Sequence, residues 1–326
     1  MRVLIVKPSS LGDVVHALPV LRLLRLARPS ARIDWWLAPG LFPLLEEDPD
    51  LDHLLPFQKR GLRAWLTCVH QARSRRYDLV LDLQGLARSG LMTWLTGASR
   101  SIGLDLGREG ARGFYDESVP RPARNAHAVQ WYLEVARRLG IDTRTDFEWL
   151  PQVDTRPGEK KEAPHIALVP GARWTNKRWP AGHFRALVDL LLKARPDLRF
   201  AVYGDAGDTP LAREIEAARP DRIRDRTGST SLPELVQSLR SATIVVTNDT
   251  GPMHIGAALG RPVIGLFGPT DPRLTGPYGA TTDTLQLDLP CVPCLKGRCR
   301  WSVERQCLID LTPARVADAV LHRLAR

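Results

Sequence analysis

Short apolar runs alternate along this chain with longer stretches in which apolar residues recur near every 3.6 positions. Arg2-Val-Leu-Ile-Val-Lys7 predicts a first strand, and Pro8-Ser-Ser-Leu-Gly-Asp13 a polar loop after it. Val14, Leu18, Leu21 and Leu24 then mark one face of a helix that stops at Arg28-Pro29. Ile33 to Leu37 and Asp78 to Asp82 predict two further strands, the second running into Leu83-Gln84-Gly85. Residues 154–164 break the pattern, being charged, twice interrupted by proline and without apolar periodicity, which is the composition of a linker. The alternation then restarts. His165 to Val169 is strand-like, and Phe184, Leu187, Val188, Leu191 and Leu192 line a helix ending at Pro196. Phe200 to Tyr203 is another strand, and Ser231-Leu-Pro-Glu234 is a capping box opening a helix to Ala242. Thr243 to Thr247 and Pro262 to Phe267 are strands flanking a short helix. Strands alternating with helices imply parallel β-α-β units, so the expected class is α/β: two similar domains facing a central cleft.

A length of 326 residues suits two domains. The expected division is 1–155, a linker at 156–164, a second domain at 165–311 and a C-terminal helix at 312–326. Only four apolar residues separate Arg2 from Lys7, too few for a secretory leader, and no run approaches the roughly 20 apolar residues of a membrane span. A soluble, cytoplasmic protein is expected. Charge changes the picture more. Forty-six basic against 36 acidic residues give +10, and seven of the basic residues are lysines. Arginine's planar fork suits phosphates and carboxylates, so nucleic acid, an anionic membrane or a phosphorylated small molecule would each fit.

The strongest local signal is Thr247-Asn-Asp-Thr-Gly-Pro-Met-His254, leading into the small residues Ile255 to Gly260. Thr250 can cap, Gly251 allows close backbone approach and Pro252 opens the helix, whose free N–H groups and dipole favour a phosphate. An ordinary capped helix would use the same residues, and His254 alone decides nothing. Pro170-Gly-Ala-Arg-Trp-Thr-Asn-Lys-Arg-Trp-Pro180 follows a strand and offers Gly171, Thr175 and Lys177 as backbone, hydroxyl and ammonium donors. It is not a Walker A loop. In Ser9-Ser-Leu-Gly-Asp13, Asp13 reads as a helix cap or as a carboxylate able to take a proton from a hydroxyl. Asp48-Pro-Asp-Leu-Asp52 reads as a solvated turn rather than a cation site. Cys68 reads as a packed small hydrophobe. Cys291, Cys294, Cys299 and Cys307 could hold structural zinc or iron, or could be reduced thiols in a basic loop.

These segments together resemble glycosyltransferase family 9, the ADP-heptose:lipopolysaccharide heptosyltransferases. The opening Met1 to Pro19 is most similar to members that add the first heptose. Tyr77-Asp-Leu-Val-Leu-Asp-Leu-Gln-Gly85, Asn248 to His254 and Gly265-Leu-Phe-Gly-Pro-Thr-Asp-Pro272 look like further blocks of the family, in the expected order. The resemblance implies a GT-B fold of two Rossmann-like domains, the first for the acceptor and the second for ADP-heptose. It also implies that the last helix, from Pro313 to Leu324, crosses back onto the N-terminal domain. By the same resemblance Asp13 is the general base and Lys177 stabilises the leaving diphosphate. Ser9, Gly12, Gly171, Thr175, Asp249, Thr250, Gly251, Pro252 and His254 bind the donor, and Asp205 or Asp208 contacts its ribose. Arg60, Arg63, Gln84, Arg88 and Arg124 meet a Kdo2-lipid A acceptor. No cofactor is required for catalysis, nucleic acid is not a partner, and the basic surface would hold the enzyme peripherally against the anionic inner leaflet. Within this reading a second-heptose or protein-modifying relative is the alternative. A nucleotide-sugar epimerase and a nucleic-acid-binding protein are the outside readings.

Overall fold

Parallel β-α-β connectivity organises the computed structural model, which describes residues 1–57, 61–107, 109–150, 165–217, 219–279 and 282–325. The chain divides into two units, Met1–Asp154 and Thr155–Arg326. The expected linker, 156–164, lies outside the described residues, as does Arg60.

The first unit holds six parallel strands: β1 (Arg2–Val6), β2 (Arg32–Leu37), β3 (His53–Pro56), β4 (Leu79–Asp82), β5 (Arg100–Asp105) and β6 (Glu117–Pro120), in the order β3-β2-β1-β4-β5-β6. Its longer helices are α1 (Leu11–Ala27), α2 (Leu62–Ser74), α3 (Ala87–Leu95) and α4 (Ala128–Arg137). Helices on both faces of a parallel sheet demand apolar side chains on both faces of its central strands. Successive residues Trp35 and Trp36 on β2 satisfy this, pointing to opposite faces and both fully buried. Cys68 is buried in the same core and donates to the Pro56 carbonyl, in keeping with a packed small residue.

Asp48 and Asp50 are not a solvated turn. Arg22, buried on α1, pairs with both carboxylates, and its Nε donates to the Trp149 carbonyl at 3.1 Å. The helix brings a guanidinium that must be neutralised, a demand no local spacing announces. Asp48→Ala leaves the buried Arg22 with Asp50 as its one carboxylate partner, so it is expected to cost less in urea unfolding than the about 3–5 kcal/mol of a fully stranded buried charge. Replacing Arg22 and Asp48 together by apolar residues should cost less.

The second unit repeats the architecture with β7 (Ile166–Val169), β8 (Phe200–Val202), β9 (Ile223–Asp225), β10 (Ile244–Asn248), β11 (Val263–Phe267) and β12 (Thr282–Gln286), in the order β12-β11-β10-β7-β8-β9. Its longer helices are α5 (Ala181–Ala194), α6 (Thr209–Glu216), α7 (Leu232–Ser241), α8 (Gly251–Ala258) and α9 (Pro313–Leu324). Ser231 caps α7 by accepting from the Glu234 backbone N–H, while the Glu234 carboxylate accepts from the Ser231 backbone at 2.7 Å, completing the expected capping box. α9 buries Val316, Ala317 and Val320 with Phe184 and Leu187 of α5 in the second unit's own core, and Arg323 closes it with an ion pair to Asp283.

Candidate active site

Both sheets have the strand order 3-2-1-4-5-6 when numbered within their units. In such a sheet the chain leaves the first and fourth strands toward opposite faces. The crevice beyond their carboxyl ends is where ligands bind.

In the second unit this switch point lies between β7 and β10, which pair directly. Lys177, at the end of a single 3-10 turn after β7, donates to Asp249 Oδ2 at 2.6 Å. Thr270, beyond β11, donates to the same oxygen at 2.6 Å. The Lys177 ammonium also lies 4.9 Å from the centre of the Trp174 ring, an attraction that fixes its direction. Asp249 is buried, so its charge is spent on these two donors in a place where screening is weak. Asn248 ties the two strands' loops together, accepting from the Trp179 N–H at 3.0 Å and donating to the Pro170 carbonyl at 2.6 Å. Thr250 stands at the N-cap of α8 with extended backbone and makes no side-chain cap bond, and Pro252 falls in the first turn. Gly251 and Pro252 are half-buried and His254 is buried. The N-terminus of α8 therefore starts next in sequence to Asp249 of the Lys177–Asp249–Thr270 group, with the Met253 N–H turned to the Thr250 carbonyl at 3.2 Å.

Gly171 is required by a neighbour. A Cβ there would fall 2.0 Å from Asp208 Oδ2, so the carboxylate lies across the end of β7. Burial, reinforced by the nearby Asp205 charge, raises the Asp208 carboxyl above its ordinary range. Asp205 is exposed and accepts from the Gly207 N–H at 2.7 Å. Thr175 is exposed at the start of the 3-10 turn.

In the first unit the switch point lies between β1 and β4, paired in register as far as Val6 with Asp82. Asp13 is in the first turn of α1, where its Oδ2 accepts from Ser10 N at 3.0 Å and Ser10 Oγ at 2.7 Å. Ser9 is half-buried and Gly12 buried beside it. Asp82 is fully buried and accepts from the Gln84 and Gly85 N–H groups at 2.8 and 3.1 Å and from Tyr115 Oη at 2.7 Å. Burial raises its carboxyl, only partly offset by these donors. Gln84 Oε1 is buried without a partner among the described residues. Arg63 on α2, Arg88 on α3 and Arg124 before α4 are exposed.

The cysteine segment does not support a metal. Cys291, Cys294, Cys299 and Cys307 line one cavity of about 320 Å³ together with Lys296 and Arg300. Among the described residues no group of three or more His, Cys, Asp or Glu side chains is arranged to hold an ion. Burial, followed by the other three thiols, pushes the Cys307 thiol up to about 11, so it is protonated at neutral pH. The structural zinc or iron expected there has no support among the described residues. What the segment does is brace the site: the Lys296 carbonyl accepts from Asn176 at 2.8 Å, and Leu295 N–H donates to Pro269.

The model of glycosyltransferase family 9 (heptosyltransferase) matches residues 65–303. The chain belongs to this family. This family 9 enzyme is 31% identical to lipopolysaccharide heptosyltransferase 1 of Pseudomonas aeruginosa, over 97% of this chain and 96% of that one. It is 28% identical to lipopolysaccharide heptosyltransferase 2 of Escherichia coli, over 98% and 97% of the two chains. Among solved structures it resembles an E. coli heptosyltransferase with ADP, with a TM-score of 0.79, 27% identity and coverage of 99% of this chain and 100% of that one. E. coli heptosyltransferase II gives a TM-score of 0.78 at 26% identity, covering 100% and 99%. The family 9 chain is thus an enzyme, a heptosyltransferase with the α/β architecture of the GT-B class. Among its described residues no helix is long and apolar enough to cross a membrane.

Sequence reasoning brought Asp249, Lys177 and the α8 N-terminus to one place, and the structure joins them. It missed Asn248, Thr270 and Asp82 as site residues. Asn248 and Thr270 stood inside blocks already singled out, but only strand pairing shows which side chains of those blocks turn toward Asp249 and Trp179.

Proposed function

We propose that this heptosyltransferase moves L-glycero-D-manno-heptose from ADP-heptose to a Kdo hydroxyl of Kdo2-lipid A, in the inner-core stage of lipopolysaccharide synthesis. The observation that carries the donor half is the Lys177–Asp249–Thr270 group at the second unit's switch point, beside the N-terminus of α8. An ammonium beside the positive end of a helix dipole suits a diphosphate. The first unit is then the acceptor domain.

The reaction is an inverting displacement without a cofactor. The acceptor oxygen bonds to the anomeric carbon while its proton passes to the Asp13 carboxylate, and the bond from that carbon to the β-phosphate oxygen breaks, its electron pair leaving with ADP. Lys177 meets the charge that grows on the β-phosphate. Thr175, Gly171 and the Thr250–Gly251–Pro252 turn hold the diphosphate, Asp249 and His254 orient the heptose, and Ser9 and Gly12 border it. Asp208, laid across Gly171, faces the ribose.

For the acceptor, the exposed Arg63, Arg88 and Arg124 pair with carboxylate and phosphate groups, with Arg60 among the same set, and the unpartnered Gln84 Oε1 accepts from a sugar hydroxyl. The +10 charge favours a peripheral stay on an anionic membrane face in the cytoplasm.

Incubating the enzyme with ADP-heptose and either Kdo2-lipid A or its mono-heptosylated form, then following ADP release and acceptor mass, tests the reading. A gain of one heptose on Kdo2-lipid A is expected. Transfer confined to the heptosylated acceptor would assign the second step instead. Transfer to neither, with ADP still bound, would overturn the acceptor and direct the search to proteins.

A further inference from the structure

Asp82 and Tyr115 meet at the first unit's switch point and have no part in the transfer step above. Asp82 is the last residue of β4 and is fully buried. Its two oxygens serve different neighbours. Oδ1 accepts from the backbone N–H groups of Gln84 at 2.8 Å and Gly85 at 3.1 Å, so the carboxylate closes the turn that follows the strand. Oδ2 accepts from the Tyr115 hydroxyl at 2.7 Å. Gly85 has a φ of +68°, and a Cβ there would lie 3.0 Å from the Leu104 carbonyl oxygen, so the turn is pressed against β5 in a conformation that favours glycine.

Two other elements make room for Tyr115. A Cβ on Gly103 of β5 would run into its ring, and a Cβ on Gly90 of α3 would lie 3.1 Å from its hydroxyl oxygen. A strand and a helix thus each go without a side chain where this hydroxyl reaches Asp82. Hydrogen bonds to an ionised acceptor are about twice as strong as those between neutral groups. With Oδ2 held by the phenol, the carboxylate cannot swing, and Oδ1 stays aimed at the turn.

The turn presents Gln84. Its backbone N–H is tied to Asp82, while its side-chain Oε1 is buried without a partner among the described residues. A buried acceptor left unpaired is costly, and a donor from a ligand removes that cost. Leu83 N–H donates to the Val6 carbonyl at 3.0 Å, which seats the start of the turn against the end of β1, where the loop toward Asp13 begins.

We propose that Tyr115 is a positioning residue for the acceptor: through Asp82 its hydroxyl fixes the Gln84–Gly85 turn, and with it the Gln84 amide oxygen that receives a hydroxyl of the acceptor sugar. The proposal rests on the reading of the first unit as the acceptor domain, with Gln84 among its contacts. No proton or charge moves along this chain of contacts. It acts on how the acceptor is held, in the ground state and the transition state alike, so its loss raises KM and spares kcat.

The test is a double-mutant cycle, read with the acceptor that the transfer assay identifies. Tyr115→Phe keeps the ring in the space left by Gly90 and Gly103 and removes the hydroxyl. Acceptor KM is expected to rise about three- to tenfold, with kcat close to wild type. Gln84→Ala should raise acceptor KM by about tenfold. Adding Tyr115→Phe to Gln84→Ala should change KM no further, because the oxygen that the phenol positions is already gone. ADP affinity and the urea unfolding midpoint report that each variant is folded. Tyr115→Phe with an unchanged acceptor KM, where Gln84→Ala raises it, would overturn the proposal and leave the acceptor reading standing. So would effects that simply add in the double variant, or a fall in kcat equal to the rise in KM, each of which marks a general loosening of the first unit. An unchanged acceptor KM in Gln84→Ala would remove Gln84 from the acceptor site, and the proposal with it.

Discussion

Asp13→Asn is expected to lose heptose transfer by about 10²–10⁴-fold while leaving ADP affinity within twofold, because a positioned general base supplies about that factor. The asparagine is the informative replacement. Asp13 Oδ2 accepts from the Ser10 backbone and hydroxyl at the start of α1, and an amide oxygen can accept from the same N–H. The helix start is therefore kept, and the change removes basicity with little loss of local structure. ADP titration then shows an intact donor site, and ADP release in the presence of acceptor shows the lost step. Turnover within tenfold of wild type would exclude Asp13 as the base.

Lys177→Met should lower kcat by about 10²–10³-fold and weaken ADP binding as well, since the ammonium meets charge that is present on the diphosphate before the reaction and grows during it. The structure adds a sharper consequence. Asp249 is buried and shares its Oδ2 between Lys177 and Thr270 at 2.6 Å each. With the ammonium gone, a poorly screened carboxylate faces the incoming phosphates. The double variant Lys177→Met with Asp249→Asn should therefore bind ADP more tightly than Lys177→Met alone, although the second change removes a further site residue. Calorimetric titration of ADP into both proteins checks this. Equal or weaker binding by the double variant would mean that Asp249 does not face the diphosphate.

The central strands were legible from residue pattern because they are buried on both sides. Val3 to Val6, Ile166 to Val169 and Ile244 to Thr247 are nearly continuous apolar runs, as parallel strands under two layers of helices must be. The edges were not. β6 (Glu117–Pro120), β9 (Ile223–Asp225) and β12 (Thr282–Gln286) are short and largely polar. Each is a strand because a neighbouring strand offers its free backbone groups, which is a property of the assembled sheet. β5 (Arg100–Asp105) was hidden differently: Ser101 and Gly103 dilute its apolar pattern, and Gly103 is needed because a Cβ there would lie 2.3 Å from the Tyr115 ring that crosses it on the way to Asp82.

The site divides along the same line. Residue type and order alone were enough for the parallel α/β class, for the turn between β10 and α8, for Lys177 in the loop after β7 and for Asp13 at the start of α1, because each of these depends on neighbours close in sequence. Partners distant in sequence had to wait for the packed chain. Lys177 and Asp249 are 72 residues apart, Arg22 and Trp149 are 127 apart, and Tyr115 and Asp82 are 33 apart. The cavity lined by four cysteines and the core that the last helix shares with α5 are likewise set by side chains brought together from separate elements. Local pattern is a matter of backbone preference and burial period, whereas pairing of buried charges depends on distances that only the folded sheet and its covering helices establish.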